Sequence, residues 1–186
     1  GSLSRTDDPS RTATYEAINI ARNSGAVISY DPNYRAALWS DPETAQLRMQ
    51  SLIPYVDMMK ISDEETSLLT PYQDPEEAIQ YLLRQGVHLV AVTLGRDGAL
   101  IGNENGIVKA EGFSSHAVDT TGAGDSFWGG FLASYLQEET SPEHLTRAQM
   151  IQFGRVGNAV ASLCVERRGG ISAIPEMEEI EERLRG

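Results

Sequence analysis

The stretch Asp119-Thr120-Thr121-Gly122-Ala123-Gly124-Asp125-Ser126-Phe127 sets two spaced glycines directly before a carboxylate. Downstream, Phe127, Phe131 and Tyr135 recur every four residues, and Trp128, Leu132 and Leu136 form a parallel row. That is the spacing of a helix with a buried face. The pattern predicts a glycine turn over residues 118–124 that feeds the helix N-terminus, with Asp125 in its first turn. The first N–H groups of a helix lack intrahelical partners, and the macrodipole adds about half a positive charge there. Gly122 and Gly124 carry no Cβ, so an anion can come close to those N–H groups. An anion site with a carboxylate base beside it suits phosphoryl transfer, where positioning and charge stabilisation dominate. The plainer reading is that an acid is favoured in the first turn of any helix. Gly129 and Gly130 each cost roughly 1 kcal/mol relative to Ala inside a helix, and close packing of the helix on a sheet is their expected compensation.

The elements around this turn alternate. Asp8-Pro9-Ser10 opens a helix whose expected apolar face is Ala13, Ala17, Ile18 and Ala21, ended by Asn23-Ser24-Gly25. Ala26–Tyr30 reads as a buried parallel strand running into Asp31-Pro32-Asn33-Tyr34-Arg35. Ligands gather beyond the carboxyl ends of strands in open α/β sheets, so Asn33 and Arg35 fall at the binding edge; a surface ion pair is the commoner fate of an Arg. Asp41-Pro42 starts a helix that ends near Pro54-Tyr55, followed by a strand over Val56–Ser62. Ser62-Asp63-Glu64-Glu65 has the form of a capping box, which by itself explains Ser62 and Glu65. Asp74-Pro75 opens a helix with Ala78, Ile79, Leu82 and Leu83 inward and Gly86 as its stop. His88–Leu94 is the third strand, Gly95-Arg96-Asp97-Gly98 a turn, and a hairpin through Asn103–Gly106 adds antiparallel strands. His144–Glu166 reads as a long helix, in which Gly154 and Gly157 allow tight packing and Asn158 has the ordinary role of a buried, hydrogen-bonded amide. Pro175 begins a last, acidic helix. Together these elements imply an α/β three-layer sandwich with a mostly parallel sheet.

Composition narrows the function classes. The 186 residues carry a formal charge of −12, which argues against a nucleic-acid partner. Cys164 is the only cysteine and sits among Val160, Leu163 and Val165, where it reads as a small core residue. No apolar run has the length of a membrane span and no signal peptide is evident, so no membrane partner and a cytoplasmic location are expected. His88, His116 and His144 lack metal-ligand spacing. There is no Walker-type phosphate loop, no dinucleotide fingerprint and no Gly-x-Ser-x-Gly elbow. Arg167-Arg168 is too short for a basic patch.

The run from Asp119 to Phe127 resembles the C-terminal signature of the ribokinase-like PfkB carbohydrate kinases. Asp31-Pro32-Asn33-Tyr34-Arg35 followed by Leu38-Trp39, Ser62-x-x-Glu65, and Thr93-Leu94-Gly95-Arg96-Asp97-Gly98-Ala99 resemble further motifs of that family. The resemblance implies ATP and Mg²⁺ as cofactors. It makes Asp125 the base that takes the sugar hydroxyl proton, and the backbone of Gly122, Ala123 and Gly124 the anion hole. It assigns Asn33, Arg35, Lys60, Ser62, Thr93, Gly95, Arg96, Asp97, Gly98, Gly122, Gly124 and Asn158 to the nucleotide, and Arg35 and Asp125 to the substrate. Glu65 would help hold Mg²⁺ through water, and Asp119 and Thr121 would lie near a monovalent cation such as K⁺. Gly1-Ser2-Leu3-Ser4 is read either as a cloning scar or as the end of a central strand. On the second reading the chain, 1–186, is the C-terminal nucleotide-binding portion of a single kinase domain, with the N-terminal part and lid absent and the chain alone inactive. The expected activity is that of a fructokinase acting on a small sugar with ATP, as a homodimer when full-length. The alternatives are 2-keto-3-deoxygluconate kinase, another sugar kinase of the family, or a non-catalytic nucleotide-binding fragment.

Overall fold

The structure, a computed structural model, describes residues 7–186; the reading of Gly1-Ser2-Leu3-Ser4 lies outside the described residues. The chain divides into two compact units, Gly1–Ala91 and Val92–Gly186.

In the first unit, helix α1 (Ser10–Asn23) buries only Ile18 of the expected apolar face. Ala13 and Ala17 are exposed. Tyr15 decides the rotation instead: its ring meets Tyr55 edge-on at 6.3 Å and its hydroxyl lies 3.0 Å from Ser51 Oγ. Alanine buries too little area to compete with an aromatic ring. Strand β1 (Ser29–Tyr30) pairs in parallel with β2 (Met58–Ser62), Ser29 opposite Met58. β1 is shorter than the predicted Ala26–Tyr30, and Ala26 and Val27 are exposed. A side chain ends the pairing, because the Ile28 N–H donates to Asp57 Oδ2 at 2.7 Å. Met58, Met59 and Ile61 are fully buried, as expected of a strand covered on both faces. Helix α2 (Pro42–Gln50) is capped by Asp41, which accepts the Thr44 N–H at 2.7 Å. It stops before the predicted end, and Ile53–Tyr55 forms a separate 3₁₀ turn. A short α3 (Thr66–Leu69) precedes α4 (Pro75–Arg84), which buries Ala78, Ile79 and Leu82 under an Asp74 cap. β3 (Leu89–Thr93) follows, giving the order β1-β2-β3.

In the second unit β4 (Ala99–Asn103) and β5 (Gly106–Ala110) form an antiparallel hairpin with Ala99 opposite Ala110. Helix α5 (Ala123–Tyr135) buries Phe127, Phe131 and Tyr135 as predicted, with Trp128 stacked on Phe131 at 5.1 Å. Its second row fails beyond Trp128. The helix ends at Tyr135, so Leu136 falls at the cap and is 78% exposed. Helix α6 (Arg147–Cys164) starts later than predicted, at a Thr146–Gln149 capping box after a 3₁₀ turn at Pro142–His144.

The expectation that Gly129 and Gly130 fit α5 to a sheet is corrected. A Cβ at Gly130 would lie 2.9 Å from Val160 Cγ2 and 3.1 Å from Gly157 Cα, so the close approach is between α5 and α6. Gly129 meets nothing within 4 Å, and packing does not explain it. Gly154 is the residue that fits a helix to strands: a Cβ there would sit 2.4 Å from Ile101 Cδ1 and 2.6 Å from Ala110 Cβ. Helix α7 (Met177–Arg185) then packs Ile180 on Ala159, Val160 and Leu163. Helix and strand alternate, with parallel and antiparallel pairing both present, so the fold is α/β as the sequence implies. Among the described residues no helix is long and apolar enough to cross a membrane.

Candidate active site

In the first unit the loop leaving β1 is built by two carboxylates. Asp31 Oδ1 accepts the Asn33 N–H at 3.0 Å, and Asp31 Oδ2 accepts from Lys60 Nζ at 3.0 Å. Asn33 has φ +50°, a left-handed conformation that Asn tolerates better than most residues. The Tyr34 N–H donates to Glu65 Oε1 at 2.7 Å, while Glu65 Oε2 accepts from Ser62 N and Oγ at 2.9 and 3.1 Å. The predicted capping box is therefore present and extends to Tyr34. Asn33, Lys60, Ser62 and Glu65 come together around one loop. Arg35 stands apart, its exposed guanidinium donating to the Tyr34 carbonyl at 2.8 Å. Sequence reasoning missed Asp31 as an organiser, although Asp-Pro-Asn is an Asx-turn signal.

A carboxylate has about four acceptor positions, and three on Glu65 are filled by protein donors. The remaining one fits a water molecule on a metal and does not make Glu65 an inner ligand. Among the described residues no three His, Cys, Asp or Glu side chains converge. Mg²⁺ usually keeps several waters and takes few protein ligands, so the donor set suits Mg²⁺ only in that outer role.

In the second unit Asp119 ties the glycine turn to the loop after α6. Its Oδ1 accepts the Thr121 N–H at 2.9 Å and its Oδ2 the Gly169 N–H at 3.0 Å. The Gly169 bond foremost, then the Thr121 backbone and side chain, hold its pKa down at about 2. Gly122 is the N-cap of α5 with φ +79°, a conformation that needs glycine. Helix α5 starts one residue later, so Ala123 and Gly124 lie inside its first turn rather than in the preceding turn. The Ala123 N–H is taken by Thr120 O and the Ser126 N–H by Gly122 O. Among the described residues no acceptor is found for the N–H groups of Gly124 and Asp125. The Asp125 carboxylate is exposed and accepts no hydrogen bond from the described residues. Two unpaired N–H groups and one uncommitted carboxylate thus share a helix N-terminus.

Two clefts of the second unit flank this turn. One, of about 330 Å³, brings together Gly95, Arg96, Ala123 and Asn158 of the predicted residues, with Phe113 and Ser162 beside them. Its edge is a tight backbone contact. A Cβ on Gly98 would lie 2.1 Å from Ala110 O, and one on Gly112 2.2 Å from Arg96 O. Asp97 is exposed on the same turn, and Thr93 is half-buried at the end of β3. Asn158 is 7% exposed and donates to Ala110 O and Glu111 O at 2.9 and 3.0 Å. Its amide thus has the structural role and lines the cleft as well. Phe113, Ser115, Ala117 and Thr120 were not legible as cleft residues, because the irregular segment that carries them has no periodicity. The second cleft, of about 360 Å³, has Gly122 and Asp125 at one end and a mostly apolar wall that includes Val160, Ile171, Ile174 and Ile180.

In the second unit a glycine-capped helix thus presents bare N–H groups beside an exposed carboxylate. The chain belongs to the pfkB carbohydrate kinase family, whose profile matches residues 2–177. It is 35% identical over 188 residues to "Probable fructokinase-4" of Arabidopsis thaliana, covering 100% of this chain and 57% of that protein. It is 33% identical over 187 residues to fructokinase-2 of Solanum lycopersicum, covering 100% and 56%. Fructokinase from Vibrio cholerae O395, solved with fructose, ADP and calcium ion, superposes with a TM-score of 0.90 at 31% identity, over 98% of this chain and 58% of that one. Aminoimidazole riboside kinase from Salmonella enterica gives 0.87 at 26% identity, over 100% and 61%. The chain therefore spans little more than half the length of these relatives.

Proposed function

We propose that the protein transfers the γ-phosphate of ATP to a sugar hydroxyl, with fructose as the acceptor, and that this chain is its nucleotide-binding portion. The observation that carries the reading is the uncommitted Asp125 carboxylate beside the unpaired N–H groups of Gly124 and Asp125. Family membership and the fructokinase relatives support it. Asp125 takes the hydroxyl proton as the sugar oxygen attacks the γ-phosphorus. The backbone of Gly122, Ala123, Gly124 and Asp125 receives the negative charge that grows on the phosphoryl oxygens. The Thr93–Gly98 turn and Asn158 hold the nucleotide in this reading, and the family resemblance assigns Asn33, Arg35, Lys60 and Ser62 to it as well. Mg²⁺, when bound, neutralises phosphate charge, with Glu65 reaching it through water. Asp119 and Thr121 belong to the surroundings of a monovalent cation in the same reading, which also takes the protein as a cytoplasmic homodimer.

A coupled ADP-release assay on the full-length protein tests this, run with fructose, 2-keto-3-deoxygluconate, ribose and aminoimidazole riboside. Fructose-dependent ADP formation is expected. Preference for another sugar reassigns the acceptor, and ADP release independent of any sugar overturns the kinase reading.

A further inference from the structure

The wall of the 330 Å³ cleft that carries Phe113 and Ser115 belongs to no helix or strand. It is tied down at three places, all within the second unit. Asn158 holds its start through Ala110 O and Glu111 O, at 2.9 and 3.0 Å. Val165 O takes the Val118 and Asp119 N–H groups at its end, at 2.7 and 3.1 Å. Between those ties, the hydrogen bond found for residues 112–117 among the described residues comes from Arg183 on α7, whose Nη1 donates to Ser114 O at 3.3 Å. The same Nη1 donates to Ser162 Oγ at 3.1 Å, and Ser162 lines the cleft from α6. Nη2 donates to both Glu166 oxygens, at 3.1 and 3.0 Å. The Arg183 side chain is 21% exposed and does not line the cleft itself. A guanidinium is planar and holds its donors at fixed angles, so the Glu166 anchor on one nitrogen sets where the other holds the loop. The Phe113 ring is packed separately, under the Arg155 guanidinium at 5.6 Å.

We propose that Arg183 is a positioning residue that sets the width of this cleft for the nucleotide, by holding the Phe113–Ser115 wall to α6. This deepens the kinase reading and rests on its placing the nucleotide in this cleft. The test is calorimetry of MgATP on the full-length protein, on Arg183→Gln and on Glu179→Gln. Glu179→Gln removes the other ion pair between α7 and the end of α6, with Arg167, and touches no residue of the 112–117 wall. Arg183→Gln is expected to weaken MgATP binding about tenfold, the size of one charge-assisted hydrogen bond, and Glu179→Gln less than about twofold. In the coupled ADP assay the Arg183→Gln loss is expected in KM for ATP, with KM for the sugar and kcat within about twofold. If Arg183 served only to dock α7, MgATP affinity would fall alike in both variants or in neither, and either result overturns the proposal. A loss confined to kcat overturns it as well. Should Arg183→Gln fail to fold, Arg183→Lys keeps a charge beside Glu166 and replaces the fork by a single point. The same selective loss of MgATP is then expected, and unaltered MgATP affinity overturns the proposal. Failure of the unaltered protein to bind MgATP overturns the kinase reading and this proposal with it, whereas normal binding with unselective variants overturns this proposal alone.

Discussion

The two loops that carry the candidate chemistry are built by opposite means. In the first unit, Asp31 and Glu65 spend their oxygens on Asn33 N, Lys60 Nζ, Tyr34 N and Ser62, so the acids are the scaffold and the backbone donors are used up. At the glycine turn of the second unit Asp119 is spent in that way, on the Thr121 and Gly169 N–H groups. Gly122 supplies the backbone conformation, and the helix N-terminus keeps donors and a carboxylate in reserve. The contrast separates acids whose oxygens are spent on protein donors from one whose oxygens are not. A carboxylate ringed by N–H donors has its lone pairs filled, which does not suit a base. Asp125 accepts no hydrogen bond from the described residues.

The contrast is sharpest at Asp125. In the full-length protein, Asp125→Asn is expected to lower sugar-dependent ADP formation by about 10²–10⁴-fold, the usual contribution of a general base, with nucleotide affinity within a few-fold. Near-normal turnover would remove Asp125 from the reaction and erase the distinction between the loops. Glu65→Ala is expected to act on folding, because it strips acceptors from Tyr34 N and Ser62 N in a nearly buried setting. A loss of about 2–4 kcal/mol follows from two unsatisfied donors and is measurable by urea unfolding; a loss under about 0.5 kcal/mol would mean that the clamp does not hold the loop.

Gly122→Ala is expected to cost about 1–2 kcal/mol, the penalty for a Cβ at positive φ. The added Cβ would also come within 3.2 Å of Gly170 Cα. Urea unfolding of both variants checks this, and Gly124→Ala, where the backbone is already helical, should show a smaller loss. Equal losses would contradict the distinction between the two glycines.

Asp119 gives the smallest expected signal, a slope against pH. Its folded pKa, about 2, lies below its ordinary value of 3.8. Its contribution is therefore present above the unfolded pKa and fades as pH falls from about 4 toward 2. Asp119→Asn should flatten that part of the stability profile relative to the unaltered chain. Parallel profiles would show that the Thr121 and Gly169 bonds do not discriminate between the charged and neutral acid.

Much of the first unit was open to reading because its signals are local. Asp41-Pro42, Asp74-Pro75 and Ser62-x-x-Glu65 each carry a cap and its partner within four residues, and each forms as expected. Errors arose where distant residues compete. Helix α1 turned toward Tyr55, and β1 was cut short by an Asp57 side chain 29 residues away. Gly129 and Gly130 of α5 were assigned to a sheet because helix spacing names a buried face without naming its partner.

By itself the sequence determined the alternation of helix and strand, the glycine turn ahead of α5, and the family whose motifs it carries. These follow from periodicities and caps that act over a few residues. Tertiary structure decided which donors and acids were already spent. Whether Glu65, Asp119 or Asn158 has lone pairs or hydrogens to offer a ligand depends on Tyr34, Gly169 and Ala110, which lie 31, 50 and 48 residues away in the chain. Hydrogen-bond satisfaction is a property of atoms within about 3 Å, and sequence spacing carries no measure of that distance once the chain has turned back on itself.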